Sequence, residues 1–196
     1  MIGPVAIDTV HGVGTARYVA LLRGINVGGR NKIAMTELRD AFTECGFSGV
    51  STYIQSGNVM FGSDRPAASL DAEIETALER RFGVPIVVVV RSHRRLRTVV
   101  DQAPAGFGTE PDRFHSDAVF LRAPLTAHQA MRVVKLRDGV DSAWPGAGVI
   151  YFARLSERRT QSKMSSIVGT PEYQSMTIRS WSTTTKLLDL LDAPPN

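Results

Sequence analysis

Cysteine is nearly absent from this chain, since Cys45 is the only one among 196 residues. A lone thiol excludes an intrachain disulfide framework and fits the reducing cytoplasm, where we expect the protein to reside. No apolar run is long enough to cross a bilayer, which argues against a membrane-spanning role and a membrane partner. Residues 1–16 lack the basic start and the continuous apolar stretch of a secretory signal, and we interpret them as a flexible leader.

The sequence is also short of groups that hold metals or transfer protons. Its histidines are scattered along the chain, without cysteine partners and without metal-ligand spacing. They are His11, His93, His115 and His128. We therefore predict no metal site and no cofactor. Strand aromatics are few and the RNP1 pattern of RNA-recognition motifs is missing, so nucleic acid is a weaker expectation than a small molecule.

Positive charge exceeds negative charge moderately, with a net charge of +4 at pH 7 and a pI near 9.6. Such an excess favours anionic partners without requiring nucleic acid. Basic side chains cluster at residues 91–97 and again at residues 154–163. Clusters of this kind are typical of solvated helix faces, and a track for a polyanion is the alternative.

Residues 17–102 show the periodicities of a mixed α+β fold. Strand patterns lie at residues 18–22, 50–56, 58–61 and 85–90. Helical patterns lie at residues 36–45, 69–82 and 92–102. The order strand-helix-strand-strand-helix-strand is the split βαβ arrangement of a ferredoxin-like (α/β-plait) half, here with one appended helix.

The same order of elements returns after residues 103–115, which are rich in proline, glycine and phenylalanine and read as a linker. Within residues 116–196 the pattern predicts a helix at 126–137, a weaker one at 161–168 and a last helix capped by Ser182. We therefore predict two tandem ferredoxin-like repeats.

A loop between the first strand and the first helix concentrates glycine, amide and basic side chains. Such loops turn backbone N–H groups toward anions, although the Gly-Lys-Ser/Thr ending of a P-loop is missing. In a split βαβ unit this loop lies at the same end of the sheet as the hairpin tip. The candidate ligand-binding residues at this end are Arg23, Asn26, Asn31, Lys32, Gln55, Ser56 and Asn58. The alternative is that these side chains satisfy backbone groups of the turns.

A second polar motif, residues 177–186, passes from a strand into the last helix. Arg179, Trp181 and Lys186 are candidates for stacking a planar ring and holding a phosphate there. In the alternative interpretation Trp181 belongs to the core and Lys186 is solvated. The sequence leaves open whether this motif joins the first one in a single site.

Residues 18–29 (YVALLRGINVGG), with Asn31 and Lys32, and residues 52–59 (TYIQSGNV) resemble the signature of a bacterial family catalogued as domain of unknown function 1697. The resemblance extends to residues 177–186, where members show asparagine at the positions of Ser180 and Ser182. It implies a fold of α/β-plait modules, in agreement with the periodicities. It supplies no activity, substrate or catalytic residue.

These patterns leave three functions open. The leading hypothesis is a protein that binds a phosphate-containing ligand, a nucleotide before RNA, at the loop and hairpin end. One alternative is an enzyme acting on a phosphorylated small molecule, with Ser56 as nucleophile and Lys32 as its base. The other is a scaffold or oligomerisation domain without a ligand, whose motifs hold the halves together. A buried, fully bonded network around Arg23 would favour the scaffold, and an open pocket lined by donors would favour the ligand.

Overall fold

The computed structural model describes residues 15–26 and 32–194. In this part the strands are β1 (Ala16–Leu22), β2 (Ser48–Tyr53), β3 (Asn58–Ser63), β4 (Val88–Ser92), β5 (Phe114–Leu121), β6 (Asp141–Gly146), β7 (Val149–Leu155) and β8 (Met176–Ser180). The helices are α1 (Met35–Glu44), α2 (Ala67–Phe82), α3 (His93–Asp101), α4 (Ala127–Met131) and α5 (Trp181–Asp192), with short 3₁₀ helices at Ser156–Gln161, Met164–Ile167 and Pro171–Ser175. The mixed α+β class predicted from the sequence is confirmed. No helix among the described residues combines the length and the apolar character that a membrane span requires.

The described residues form two four-stranded sheets, one in each half of the chain. The strand order is β2-β3-β1-β4 in the first sheet and β6-β7-β5-β8 in the second. Every neighbouring pair is antiparallel. The first strand of each half therefore lies inside its sheet, between the last strand of that half and the second strand of the hairpin.

β1 illustrates why the central strands read as continuous apolar runs. Its side chains alternate between the two faces of the sheet. Tyr18, Ala20 and Leu22 pack against α1 and α2, whereas Val19 and Leu21 pack on the opposite face. Because both faces are covered, both sets of positions are apolar.

α2 shows the helical spacing that the sequence predicts. Leu70, Ile74 and Leu78 recur every four residues and are buried against the first sheet. Gly83 follows the helix with a φ of +69°, a left-handed conformation that glycine adopts at low cost. The helix therefore ends where its apolar stripe ends.

Two carboxylates of α2 cover the outer edge of β4. The side chain of Glu75 accepts the backbone N–H of Val88 at 2.9 Å, and that of Asp71 accepts the N–H of Val90 at 2.7 Å. Burial raises the pKa of both carboxyl groups. These bonds occupy donors that an edge strand otherwise leaves open to another strand.

The second half departs from the predicted helices. The helix predicted at 126–137 ends at Met131, although Thr126 caps it as expected. Val133 and Val134 follow, and β-branched residues lose side-chain freedom in a helix. The helix predicted at 161–168 is reduced to the 3₁₀ turn Met164–Ile167.

Among the described residues, three hydrophobic clusters lie between the layers of sheets and helices. One lies between the first sheet and α1 and α2, and another lies between the second sheet and α4 with a 3₁₀ helix. The third, which we call the central cluster, joins the inner faces of both sheets with α3 and α5. It contains Val19, Leu21, Met60, Val89, Leu96, Val99, Phe107, Ala118, Phe120, Val149, Tyr151, Ala153, Leu187, Leu188 and Leu191. The inner faces of both sheets are therefore covered. RNA-recognition modules stack bases on an exposed sheet face, and these inner faces cannot serve in that way.

Replacing Phe120 by alanine should lower the free energy of unfolding by about 3–5 kcal/mol, because it opens a cavity in the central cluster. Since this cluster contains residues of both halves, the native protein should unfold in a single transition. Chemical denaturation followed by tryptophan fluorescence and circular dichroism measures both quantities. The control is Leu136→Ala at a residue that is 46% exposed, which should change stability by less than about 0.5 kcal/mol. Two separate transitions of the native protein would contradict a shared core.

Candidate functional site

The C-terminal motif places an arginine across the boundary between the halves. Arg179 lies on β8, and only 7% of it is exposed. Its Nε donates to Oδ1 of Asn58 at 2.6 Å, and its Nη2 donates to the carbonyl oxygens of Leu22 and Gly57 at 2.7 and 3.1 Å. Nη2 also lies 3.0 Å from the carbonyl oxygen of Ser56. A side chain of the second half therefore binds the end of β1 and the hairpin between β2 and β3.

The remaining nitrogen of this guanidinium is bonded within its own strand. Nη1 of Arg179 donates to Oγ1 of Thr177 at 3.0 Å and to the carbonyl oxygen of Ile178 at 2.8 Å. All three nitrogens have acceptors, and none of these acceptors is a carboxylate. Burial lowers the pKa of Arg179 to about 10. This value is still well above 7, so the guanidinium keeps its charge at pH 7.

The first half carries a matching arginine. Arg91 on β4 donates from Nη2 to the carbonyl oxygens of Leu121 and Gly148 at 2.5 and 3.0 Å. Leu121 is the last residue of β5 and Gly148 lies in the β6–β7 hairpin, the same positions in the second half as the carbonyls that Arg179 binds in the first. Burial lowers the pKa of Arg91 to about 10 as well. We call these two sets of bonds the reciprocal arginine contacts.

Arg91 belongs to the basic cluster at residues 91–97, for which a solvated helix face is predicted, and this prediction is wrong for Arg91 because it lies on β4 and is only 6% exposed. The sequence nevertheless contains a signal for its structural role. Residues 88–92 read VVVRS and residues 176–180 read MTIRS. Each segment is an apolar strand with one arginine directly before a serine and a helix. A charged residue at the same position of both buried strands indicates a shared structural role.

Ser180, rather than the predicted Ser182, caps the last helix. The Oγ of Ser180 accepts the backbone N–H of Thr183 at 3.2 Å, and α5 begins at Trp181. Ser92 has the same role in front of α3. The prediction was two residues late because β8 runs directly into its helix without an intervening loop.

Two asparagines close the turns at the predicted ligand-binding end. Asn26 has a φ of +55°, and its Nδ2 donates to the carbonyl oxygens of Ile33 at 2.9 Å and Gln55 at 3.0 Å. The Nδ2 of Asn58 donates to Oγ of Ser56 at 3.0 Å. The loop and the hairpin tip are therefore bonded to each other. Among the described residues no acid or base is bonded to the Ser56 hydroxyl, so the contacts do not activate it as a nucleophile.

The arginine after the first strand of each half also contacts the other half. Nη1 of Arg23 donates to the carbonyl oxygen of Tyr173 at 2.6 Å, and Nη2 donates to Oε1 of Gln174 at 2.9 Å. Its guanidinium carbon lies 4.9 Å from the centroid of the Tyr173 ring. Arg122, which follows β5, forms an ion pair with Glu75 at 2.7 Å. Arg23 is therefore half-buried in the boundary between the halves and engaged with protein groups.

Trp181 and Lys186 take no part in the contacts described for Arg23, Asn26 and Asn58. The ring of Trp181 packs edge-to-face on Phe107 and Tyr151, with centroid distances of 4.9 and 6.1 Å. A Cβ at Gly108 would lie 2.0 Å from Cδ1 of this ring, so the indole has no free face on that side. Lys186 is exposed on α5.

Lys32 and the side chain of Gln55 are the candidates that remain open to solvent. Both residues are exposed, and neither side chain makes a hydrogen bond with another described residue. Asn26 brings them near each other, because it binds the backbone of Gln55 and that of Ile33, the neighbour of Lys32. Asn31 lies outside the described residues. Within the described ranges no group of three acidic, histidine or cysteine side chains is placed to hold a metal ion.

Comparisons with known proteins support this two-sheet architecture. A family model described as "Protein of unknown function (DUF1697)" matches residues 15–151, which is more than half of the chain. The chain is also similar to the solved structure of conserved bacterial protein SP0830 from Streptococcus pneumoniae. The two share 27% sequence identity and a TM-score of 0.77, over 90% of this chain and 99% of that one. No curated protein matches the chain.

Replacing Arg179 by methionine should lower the free energy of unfolding by about 3 kcal/mol, because bonds from a charged donor are lost and buried acceptors are left unpaired. Arg91→Met should have a similar effect. Urea unfolding at pH 7 measures both, with Arg94→Met on the exposed side of α3 as the control. Losses below about 0.5 kcal/mol in both buried variants would show that the reciprocal arginine contacts do not hold the fold together.

Proposed function

This chain belongs to the family of proteins of unknown function DUF1697, and from its own contacts we propose that it is a scaffold of two ferredoxin-like halves held in one orientation. The reciprocal arginine contacts carry this proposal. In them the motif residues bind protein oxygens of the opposite half. The scaffold interpretation also explains why polar motifs flank otherwise apolar strands.

The repeat within this proposal is supported by topology. The strand order of the first sheet is that of a split βαβ unit, and the second sheet has the corresponding order. Arg91 and Arg179 occupy the same place in the last strand of each half, and each binds the hairpin of the other half. The α4 and 3₁₀ segments then stand where the first half has α1 and α2.

The state of the motif donors supports a structural role. A ligand site needs donors that are free to turn toward the ligand. The guanidinium of Arg179 and the amides of Asn26 and Asn58 instead donate to protein oxygens. Binding at this position would first have to break these bonds.

The orientation of the halves can be measured by pulsed electron spin resonance between two spin labels. Arg39→Cys on α1 and Arg132→Cys after α4 place the labels on exposed residues at opposite outer layers. Cys45→Ala removes the native thiol. We expect one narrow distance distribution, and a broad one when Arg91→Met and Arg179→Met are added.

The same labels with Arg94→Met provide the control, because that arginine is exposed and should leave the distribution narrow. A broad distribution in the otherwise native protein would show that the halves move relative to each other. That result would contradict the fixed scaffold and would favour a site that opens between the halves.

A second candidate function is binding of a phosphate-containing small molecule at the loop and hairpin end. The exposed side chains of Lys32 and Gln55 favour it, because a cation and an amide at one end of the sheet suit a phosphate oxygen. A nucleotide fits this proposal better than RNA, since the inner sheet faces are covered by α3 and α5.

Thermal unfolding tests this second candidate with inorganic phosphate, adenosine monophosphate and a short RNA as probes. A probe at one hundred times its dissociation constant should add about 2.7 kcal/mol to the stability of the native protein. Lys32→Ala and Gln55→Ala should reduce this gain, and Lys135→Ala, which removes an exposed lysine elsewhere, should not. An equal gain in all variants would place the anion at another site.

A further inference from the structure

A cleft of about 130 Å³ lies on the inner face of the second sheet, at the end opposite the reciprocal arginine contacts. The start of β5 and parts of β6 and β7 form one side of it, and the loop at residues 104–110 forms the other. No residue of the sequence motifs lines it, although Trp181 packs against Phe107 of the loop. The cleft shares no residue with the anion site proposed above.

The floor of the cleft is a row of small side chains in register across three strands. Ser116 on β5 is paired with Ala153 on β7, and Ala153 is paired with Ser142 on β6. Their side chains share one face of the sheet, because paired residues in neighbouring strands point the same way. The row leaves a trough where larger residues would fill the space beneath the loop.

Aromatic rings form the walls of this trough. Phe114 precedes Ser116 by two residues on the same face, and Trp144 follows Ser142 in the same way. Phe107 of the loop meets Trp144 edge-to-face, with 6.1 Å between the ring centroids. Trp144 is 39% exposed, so a large apolar surface faces the opening.

Ser116 supplies a polar group that the protein itself leaves unused. The residue is 8% exposed, and its Oγ has no hydrogen-bond partner among the described residues. This Oγ is closed to solvent in its present rotamer, and a bond to a ligand in the cleft requires a turn about χ1 of Ser116. Buried hydroxyl groups in proteins are normally bonded, so an unpaired one on a residue that lines a cleft is available to a ligand atom after that turn. A hydroxyl can both donate to and accept from such an atom.

We propose that this cleft binds a single planar heteroaromatic ring that carries a hydrogen-bonding group, of the pyridine or pyrimidine class. The ring lies over the small residues between Trp144 and Phe114, and its polar edge bonds to Oγ of Ser116. Size supports one ring, since an apolar cavity of about 150 Å³ holds benzene. Charge supports an uncharged ring, because Glu110 at the opening is paired with Arg113 at 3.3 Å.

Nuclear magnetic resonance of the full chain tests the proposal, with nicotinamide and uracil as probes and toluene as a ring without a polar edge. The sequence has two tryptophans, so the indole N–H signal of Trp144 can be assigned with Trp144→Phe. This signal should shift on titration with the two polar rings. Toluene should bind more weakly than either of them.

Variants of the floor identify the contacts. Ser116→Ala should weaken binding of the polar rings about 2- to 12-fold, the range for one neutral hydrogen bond, and should leave the protein at least as stable as before. Ala153→Leu should abolish binding by filling the trough. Ser165→Ala, at an exposed serine outside the cleft, should change neither affinity nor stability.

The proposal is overturned if no probe shifts the Trp144 signal at millimolar concentration, or if Ala153→Leu binds as tightly as the native protein. Should Ala153→Leu fail to fold, Ser142→Leu at the exposed end of the same row replaces it, with the same expected loss of binding. Equal affinity of Ser116→Ala, or equal affinity for toluene, would refute the role of the hydroxyl. Tighter binding of an aromatic peptide than of the free rings would refute the ligand class.

Discussion

A guanidinium that is removed from water needs oxygen atoms as acceptors for its donors, and in this protein the opposite half supplies several of them. Arg179 binds carbonyls at the end of β1 and in the first hairpin, and Arg91 binds the corresponding carbonyls of the second half. Neither half on its own would supply these acceptors. The arginines therefore specify how the halves are oriented, and the central cluster stabilises this orientation by burying apolar side chains of both halves.

This constraint explains the amino acids of the polar motifs. Gly57 has a φ of +77°, and a Cβ there would lie 2.8 Å from the Ile25 side chain and 2.9 Å from Cβ of Leu22. Only glycine therefore brings its carbonyl close enough to Arg179 without a collision. Asn26 and Asn58 hold the two turns that present these carbonyls. Among the described residues, the exposed edge at Lys32 and Gln55 and the aromatic cleft are the two places where we propose a ligand.

Sequence periodicity predicted the strands and helices whose positions depend on their own buried faces. β1, the two hairpins and α2 follow from periodicity, because each buries its own apolar face, whereas the helix predicted at 126–137 ended early where β-branched residues follow Met131. Periodicity carries no information on how the halves pack, so the partners of Arg179 could not be predicted. Ser116 looked like an ordinary strand residue, since its cleft depends on strand register and on the path of the loop at residues 104–110.

The reciprocal arginine contacts have the form of a twofold interface, in which one residue of each partner contacts the same surface of the other. With the halves as the repeats that we propose, a shorter ancestral chain holding one such arginine would have met a second copy of itself through these same bonds. Fusion of two copies in one gene would then have made a permanent pair of a homodimer. Copies joined in this way would be free to diverge, and the strands that form the aromatic cleft all belong to the second sheet.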